Sequence, residues 1–370
     1  MATSKSHLPR ITILGSLNID LVSYVPHHPA PGETLTATSF AVSPGGKGAN
    51  QAVACAKLSR PRTTSTSTSA GPLGPPDDAG ATAHVSMVGA VGDDSYGDIL
   101  LTNLSRHGVE VSAVRRPPGL KTGIAIIIVD QPTGQNRIVL SAEANHLALQ
   151  PADVFPSLPP ADTSSPSSDW SGITRDAATV ALTAALGGGP LPDLLIMQLE
   201  IPLPTVLAAL RAARAAGAAV LLNPAPAQPL PDEVLAGLAH LVVNETEAAI
   251  LSGREVSALD TEAGMEEVAL GFAGLGVRNV VITLGDRGCY YLSGETGERG
   301  LVPAEKARVV DTTGAGDTFV GMYALDVVAV GEGAKFDVGR AVRRAIRAAT
   351  KTVERKGAQD SIPWRDELEQ

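Results

Sequence analysis

Apolar and polar positions in this chain fall into short, separated runs. Ile11-Thr12-Ile13-Leu14 is apolar, stops at Gly15, and leads into Ser16 to Asp20, which reads as a turn. A strand with polar residues at its carboxyl end is predicted there, the place where open α/β sheets bind ligands. Gly45-Gly46-Lys47-Gly48 then opens an Ala-rich stretch to Leu58, predicted as a loop running into a helix. Further strands are expected at Val85 to Val88, Ile124 to Val129 and Ile138 to Leu140. From Leu194 the pattern becomes regular. Strands are predicted at Leu194 to Met197, Ala218 to Leu222, Leu241 to Val243 and Val280 to Ile282. Helices are predicted at Pro204 to Ala216, Glu245 to Leu251, Gly314 to Val330 and Val338 to Glu354. Such alternation predicts a three-layer α/β unit whose mainly parallel sheet is covered on both faces. The segments Val22 to Phe40 and Gly123 to Leu140 do not alternate with helices. They read as antiparallel strands forming a small flap over the ligand edge.

Two stretches break the pattern. Residues 60–83 and 155–192 are rich in Ser, Thr, Pro and Gly and read as low-complexity surface insertions, with one helical piece at Ala177 to Leu186. The 370 residues carry 29 Lys+Arg against 39 Asp+Glu, a net charge of −10. That balance excludes a protein that neutralises a nucleic-acid backbone. No apolar run approaches the roughly 20 residues needed to cross a bilayer, and Met1 to Arg10 lacks the apolar core of a secretory signal. Cys55 and Cys289 are too few for a disulfide framework, which implies an intracellular compartment, cytoplasmic with nuclear residence left open.

The chemistry is concentrated after strands. Asp311-Thr312-Thr313-Gly314-Ala315-Gly316-Asp317-Thr318-Phe319 precedes an apolar helix. Small residues there let successive N–H groups converge on an anion, and Asp317 is placed to take a proton from an attacking hydroxyl. On residue types alone, the same run also serves as a helix start. Gly45 to Asn50 is not a P-loop, because Gly follows the Lys. Its glycines permit close backbone approach, and Asn50 suits a sugar hydroxyl, although taken alone the motif reads as a flexible turn before a helix. Asn18 and Asp20 suit a polyhydroxylated ligand, or an Asx turn. Asn244 and Glu247 lie three apart, on one helical face, suited to the water shell of Mg²⁺ or to a capped helix start. Thr283-Leu284-Gly285-Asp286-Arg287-Gly288 follows a strand and suits nucleotide phosphates or ribose, or forms a hairpin turn. No H-E-x-x-H, G-x-S-x-G or complete G-x-G-x-x-G pattern occurs.

Together these segments resemble the PfkB-type carbohydrate kinases, and among them the ribokinase branch. The resemblance runs from about residue 11 to 365 and includes Gly15 to Asp20, Met197-Gln198-Leu199-Glu200, Asn223 to Ala227 and Arg355 to Trp364. It implies a single kinase domain over 11–365 with a ribokinase-like sandwich and lid strands at about 19–42 and 122–141. The implied reaction is ATP-dependent phosphorylation of D-ribose at its 5-hydroxyl, with Asp317 as base and Gly314, Ala315 and Gly316 as anion hole. Asn18, Asp20, Gly46, Lys47, Asn50 and Glu200 would bind the sugar. Asn244, Thr283 to Gly288 (with Leu284, Gly285, Asp286 and Arg287 between), Gly316 and Ile346 would serve ATP. Asn244 and Glu247 would serve Mg²⁺, and Asp311, Thr313, Thr352, Arg355, Gly357 and Ser361 a K⁺ activator. Two departures stand out: Ile346 where the family often has an adenine-contacting Asn or His, and Glu143-Ala144-Asn145 where many relatives have Gly-Ala-Asn. An exposed lid edge would be covered by pairing with a second subunit, so a homodimer through the lid is expected. The alternatives are a kinase of another sugar or nucleoside (deoxyribose, fructose, adenosine) and a non-catalytic sugar sensor.

Overall fold

In the computed structural model, residues 8–62, 80–157, 173–331 and 333–369 are described. The chain begins with β1 (Arg10–Leu14), β2 (Asn18–Val25), β3 (Ser39–Gly45) and α1 (Lys47–Ser59). Next come β4 (His84–Ala90), α2 (Ser95–Arg106), β5 (Val109–Glu110), β6 (Val114–Arg115), β7 (Gly123–Asp130) and β8 (Asn136–Ser141). Then follow α3 (Ala144–Leu147), α4 (Pro151–Val154), α5 (Arg175–Ala185), β9 (Leu194–Met197), α6 (Leu203–Ala216) and β10 (Ala219–Leu222). The last third holds α7 (Asp232–Leu235), β11 (His240–Asn244), α8 (Glu245–Ser252), α9 (Glu262–Gly274), β12 (Asn279–Thr283), β13 (Cys289–Ser293), β14 (Arg299–Val302), α10 (Ala315–Val328) and α11 (Val338–Val353).

The large sheet runs β14-β13-β12-β11-β10-β9-β1-β4-β5, with β6 beside β4. It is parallel from β5 to β12 and ends in an antiparallel β12-β13-β14 meander. Its central strands are apolar on both faces because both are covered. In β9, Leu195 and Met197 pack with α5, α6 and α9 on one side, while Leu194 and Ile196 face α1, α10 and α11 on the other. β11 and β12 repeat this division: Leu241, Val243, Val280 and Ile282 face one core, Val242 and Val281 the other. The three-layer expectation therefore holds.

The second sheet, β3-β2-β7-β8, is the small lid. Its central pair β2–β7 runs parallel, not antiparallel as the sequence pattern suggested. The reason is topological: β2 follows β1 and β7 follows β6, both parallel strands of the large sheet, so both leave its carboxyl edge in the same direction. Asn18 and Asp20, expected in a turn, already belong to β2. The helix expected at Ala177 to Leu186 forms as α5, whereas residues 63–79 and 158–172 of the two insertions lie outside the described residues. Helices α2 and α9 were not anticipated, although both start on side-chain caps: Asp94 accepts from Gly97 N, and Thr261 from Gly264 N. Among the described residues, no helix is long and apolar enough to cross a membrane.

Candidate active site

The functional residues gather where β1 and β9 end and where α1 and α10 begin. Gly46 caps α1 with φ of 86°, and a Cβ there would lie 2.7 Å from Asn18 N. Only glycine tolerates both the left-handed backbone and that approach. Ser16 donates its hydroxyl to Glu200 Oε2 at 2.5 Å, and Lys47 N donates to the same oxygen at 2.9 Å. Glu200, just past β9, is thus tied to the start of α1. Asn18 is oriented by Asn145: Nδ2 of Asn145 donates to Asn18 Oδ1 at 2.8 Å, and Asn145 also brackets the backbone of Leu17. The Asn18 amide therefore presents its NH₂ to the pocket.

Asp317 sits in the first turn of α10 and is only 9% exposed. Asn50 Nδ2 donates to its Oδ2 and Gln51 Nε2 to its Oδ1, each at 3.0 Å. Burial pushes the Asp317 carboxyl up; the Lys47 ammonium and the Asn50 and Gln51 donors pull it down, and Glu200 adds a further upward push. The net direction is upward. Asp20 is pushed up to about 7 by burial, then by Glu200 and Asp317. For Lys47, burial disfavours the ammonium, but Asp317, Glu200 and Glu247 outweigh it and its pKa is raised. One cation facing several partly buried carboxylates makes a pocket suited to hydroxyl groups, which can both donate and accept.

On the other side of Asp317, Gly314 adopts φ of 78° and abuts the carbonyl of Ala358, where a Cβ would stand 2.9 Å away. No side chain caps α10. Its first N–H groups and dipole therefore favour an anion. Ala315 and Gly316 border a cavity of about 530 Å³, within the range of small-molecule sites. Thr283, Gly285, Asp286, Gly288, Phe319 and Ile346 also line it. Of the predicted nucleotide residues, the side chains of Leu284 and Arg287 point elsewhere. Leu284 is buried in the core, and Arg287 is engaged with Glu245 and the Leu259 carbonyl. The Thr283 to Gly288 segment forms the β12–β13 hairpin turn, and four of its residues border the cavity.

Asn244 and Glu247 form a reciprocal cap on α8: Asn244 N donates to Glu247 Oε2, Asn244 Nδ2 donates to Oε1, and Glu247 N donates to Asn244 Oδ1. Each Glu247 oxygen keeps a free lone pair, so the pair fits the hydrated shell of Mg²⁺. Among the described residues, no three His, Cys, Asp or Glu side chains gather as a metal cage. Mg²⁺ would thus depend on phosphate oxygens and water. Of the predicted K⁺ residues, Asp311, Thr313 and Gly357 are joined by hydrogen bonds, while Thr352 lies in the last turn of α11 and Arg355 and Ser361 in the segment after it. Asp311 Oδ1 accepts from Thr313 N and Oγ1, its Oδ2 accepts from Gly357 N, and Asp311 N donates to the Val353 carbonyl. Burial raises the Asp311 carboxyl, yet these donors and Lys356 win and its pKa is lowered. The carboxylate itself, with the backbone carbonyls of these segments, supplies oxygen donors of the kind a hard monovalent cation takes. Two side chains are committed elsewhere: Arg355 pairs with Glu367 and Thr352 Oγ1 bonds to Thr318 Oγ1, so their contribution would be backbone carbonyls.

Gln51, Gln198, Gln359 and Asn145 were given no role from the sequence. Their partners lie 127 to 309 residues away, and a lone carboxamide carries no local signal.

The family model described as pfkB family carbohydrate kinase matches residues 8–365. The chain belongs to this family. It is 39% identical to the ribokinase of Schizosaccharomyces pombe over 359 residues, covering 95% of this chain and 94% of that protein. It is also 32% identical to the deoxyribokinase of Salmonella typhi, covering 95% of each. The fold matches the structure of Arabidopsis thaliana ribokinase complexed with ribose and ATP with a TM-score of 0.74, at 27% identity and 98% coverage of both chains. The chain is accordingly a sugar kinase.

Proposed function

We propose that the protein transfers the γ-phosphoryl group of ATP to O5 of D-ribose, giving D-ribose 5-phosphate and ADP. One observation carries this reading: Asp317 is clamped between two amide donors in the first turn of the helix whose uncapped start borders the 530 Å³ cavity. A single carboxylate then faces both the acceptor pocket and the phosphoryl path. Asp317 takes the O5 proton as O5 bonds to phosphorus and the bond to the β-phosphate oxygen breaks. Gly314, Ala315 and Gly316 hold the transferring group with backbone N–H groups, which need no reorganisation as charge develops. Asn18, Asp20, Gly46, Lys47, Asn50 and Glu200 fix the sugar so that the 5-hydroxyl meets Asp317. Thr283, Gly285, Asp286, Gly288 and Ile346 receive the nucleotide. Mg²⁺, when bound, neutralises phosphate charge, and Asn244 with Glu247 would hold its water shell. Asp311 and Thr313, with Thr352 at the end of α11 and Arg355, Gly357 and Ser361 in the segment after it, would hold K⁺.

We further place the protein in the cytoplasm, in keeping with Cys55 and Cys289 being free and buried. A homodimer through the lid fits the exposed apolar side chains of Phe40, Val42, Ile126, Ile138, Val139 and Leu140.

An ADP-release assay over ribose, 2-deoxyribose, fructose and adenosine, with and without K⁺, tests the proposal. Ribose should give the highest kcat/KM, with K⁺ stimulating it. It should exceed 2-deoxyribose by about tenfold or more, since a pocket built to bond a hydroxyl leaves polar groups unpaired without it. A higher kcat/KM for fructose, adenosine or 2-deoxyribose refutes the ribose assignment.

A further inference from the structure

The carboxylate of Asp317 is the end point of a directional array of side-chain amides. On one arm, Asn103 Nδ2 donates to Gln359 Oε1 at 2.6 Å, Gln359 Nε2 to Asn50 Oδ1 at 2.9 Å, and Asn50 Nδ2 to Asp317 Oδ2 at 3.0 Å. On the other, Gln198 Nε2 donates to Gln51 Oε1 at 2.5 Å, and Gln51 Nε2 donates to Asp317 Oδ1 and to Asn223 Oδ1, each at 3.0 Å. Gln359, Asn50 and Gln51 each accept from the outer member and donate inward, so their orientations are set by their neighbours, whereas Gln198 Oε1 at the outer end of the second arm is buried without a hydrogen-bond partner. Gln51 and Gln198 are fully buried, and Gln359 and Asn50 nearly so. A buried polar network of this kind has a cost unless it is satisfied, and it specifies one geometry when it is. Its polarity is also informative. All inner ends are N–H donors, which favour the ionised carboxylate over the neutral acid.

We infer that Gln51 is a positioning residue for the base Asp317, fixing its orientation and holding it ionised, and that Gln359 serves the same end more weakly through Asn50. The inference rests on Asp317 being the base. Gln51 does this by donating to the oxygen that Asn50 leaves unpaired, while Gln198 and Asn223 keep its own amide from rotating. Gln359 belongs to the segment following α11 whose Ala358 carbonyl backs Gly314, so one short stretch of chain braces both the base and the anion hole. The charged groups facing Asp317 are Lys47 at the start of α1, Glu200 after β9, Asp20 on β2 and Glu247 on α8. None is altered by replacing Gln51 or Gln359, so a shift in titration reads the lost donor.

The test is the pH dependence of kcat for Gln51→Met and Gln359→Met, with Asp317→Asn beside them. Removing a donor to the charged form raises the carboxyl pKa. A base is needed ionised, so the acid limb of the kcat profile moves to higher pH. For Gln51→Met the expected displacement is about one pH unit, with the sugar KM within about twofold of the parent. For Gln359→Met it is smaller and in the same direction. Gln51→Glu, which puts a carboxylate where the donor was, should move the limb further still. A purely structural role lowers the melting temperature and leaves the limb in place. Superimposable acid limbs in Gln51→Met and Gln51→Glu, with Asp317→Asn inactive, overturn the inference and leave the base intact. Should the Gln51 variants not fold, an unshifted limb in Gln359→Met overturns it equally. Turnover retained in Asp317→Asn would instead remove the base, and the array's role with it.

Discussion

The proposed acceptor pocket around Asp317 and the proposed nucleotide cavity beside Ala315 and Gly316 adjoin at the first turn of α10 but are made of different material. On the acceptor side nearly every contact is a charged or carboxamide side chain tied to a named partner: Glu200 to Ser16 and Lys47 N, Asn18 to Asn145, Asp317 to Asn50 and Gln51. On the nucleotide side, apolar walls from Val309, Phe319, Ile346, Ala349 and Val353 and glycines at 285, 288 and 316 are interspersed with Thr283, Asp286, Glu305, Lys306, Thr312 and Thr350. The first region recognises by directional hydrogen bonds, which penalise a ligand lacking the matching group. On the proposed reading, the apolar part of the second would recognise by shape, which many residue types can supply, with the polar side chains around it left for phosphate and ribose. Discrimination between ligands should therefore be sharp at the sugar end and shallow at the base end. Substitutions in the two regions should differ in size accordingly.

The largest effect is expected where the two regions join. Asp317→Asn preserves size and one acceptor oxygen but removes the proton acceptor. Turnover should fall by about 10²- to 10⁴-fold, while nucleotide affinity, measured calorimetrically with a non-hydrolysable ATP analogue, changes little. Equal losses of nucleotide binding and turnover would show that the carboxylate organises the cavity instead of the acceptor, and the division drawn above would fail.

How far each region was legible in the sequence follows the same division. Asp311 to Phe319, Asn18, Asp20 and Asn50 stood out because their residue types imply chemistry after a strand. Glu200, which follows no such pattern, was placed by resemblance alone. Of the cavity walls, the Thr283 to Gly288 turn was read from its place after a strand and Ile346 by resemblance alone, whereas Phe319, on the apolar α10, looks like core, which on its other faces it is. Gln51 was invisible for a different reason: its three partners, Gln198, Asn223 and Asp317, are brought to it only by the sheet order β10-β9-β1 and the packing of α10 against α1. The fold itself was largely predictable from alternating strands and helices. The parallel β2–β7 pair was not, because register between distant strands leaves no periodic trace. Glu143 shows a departure whose cost appears only in three dimensions. It takes φ of 47°, the one non-glycine in that region among the described residues, where many relatives carry glycine. The strain sits two residues before Asn145, which orients Asn18.

Asp20 is expected to give the intermediate effect, and it separates binding from stability. Its carboxyl lies at about 7 in the folded protein against 3.8 when unperturbed. A folded-state value above the unfolded one gives a contribution to stability that is full below about pH 4 and is lost as pH rises through about 7. Asp20→Asn stays neutral throughout. Its melting temperature should thus exceed the parent's at about pH 8, by a margin that narrows towards about pH 5, while kcat/KM for the sugar falls by about 10- to 100-fold through the lost charged acceptor. A stability gain without loss of kcat/KM would take Asp20 out of the sugar contacts; a kcat/KM loss without pH-dependent stabilisation would mean that its burial is relieved in solution.

The smallest effect belongs to the cavity wall. Ile346 lies on α11, is 7% exposed, and contributes part of its side chain to the cavity, the rest packing in the core. At about 0.8 kcal/mol per buried methylene, losing one methylene's worth of contact with the nucleotide base amounts to about fourfold in affinity. Ile346→Ala should therefore raise the KM for ATP by about that factor, with the sugar KM unchanged and a stability cost from the core-facing methyls read as a lower melting temperature. Because the contact is apolar, GTP should suffer in similar proportion. A selective loss of ATP over GTP would mean that α11 reads the base's polar edge after all, through Thr350 one turn further along the same helix, and the contrast between a directional sugar end and a shape-reading base end would need redrawing.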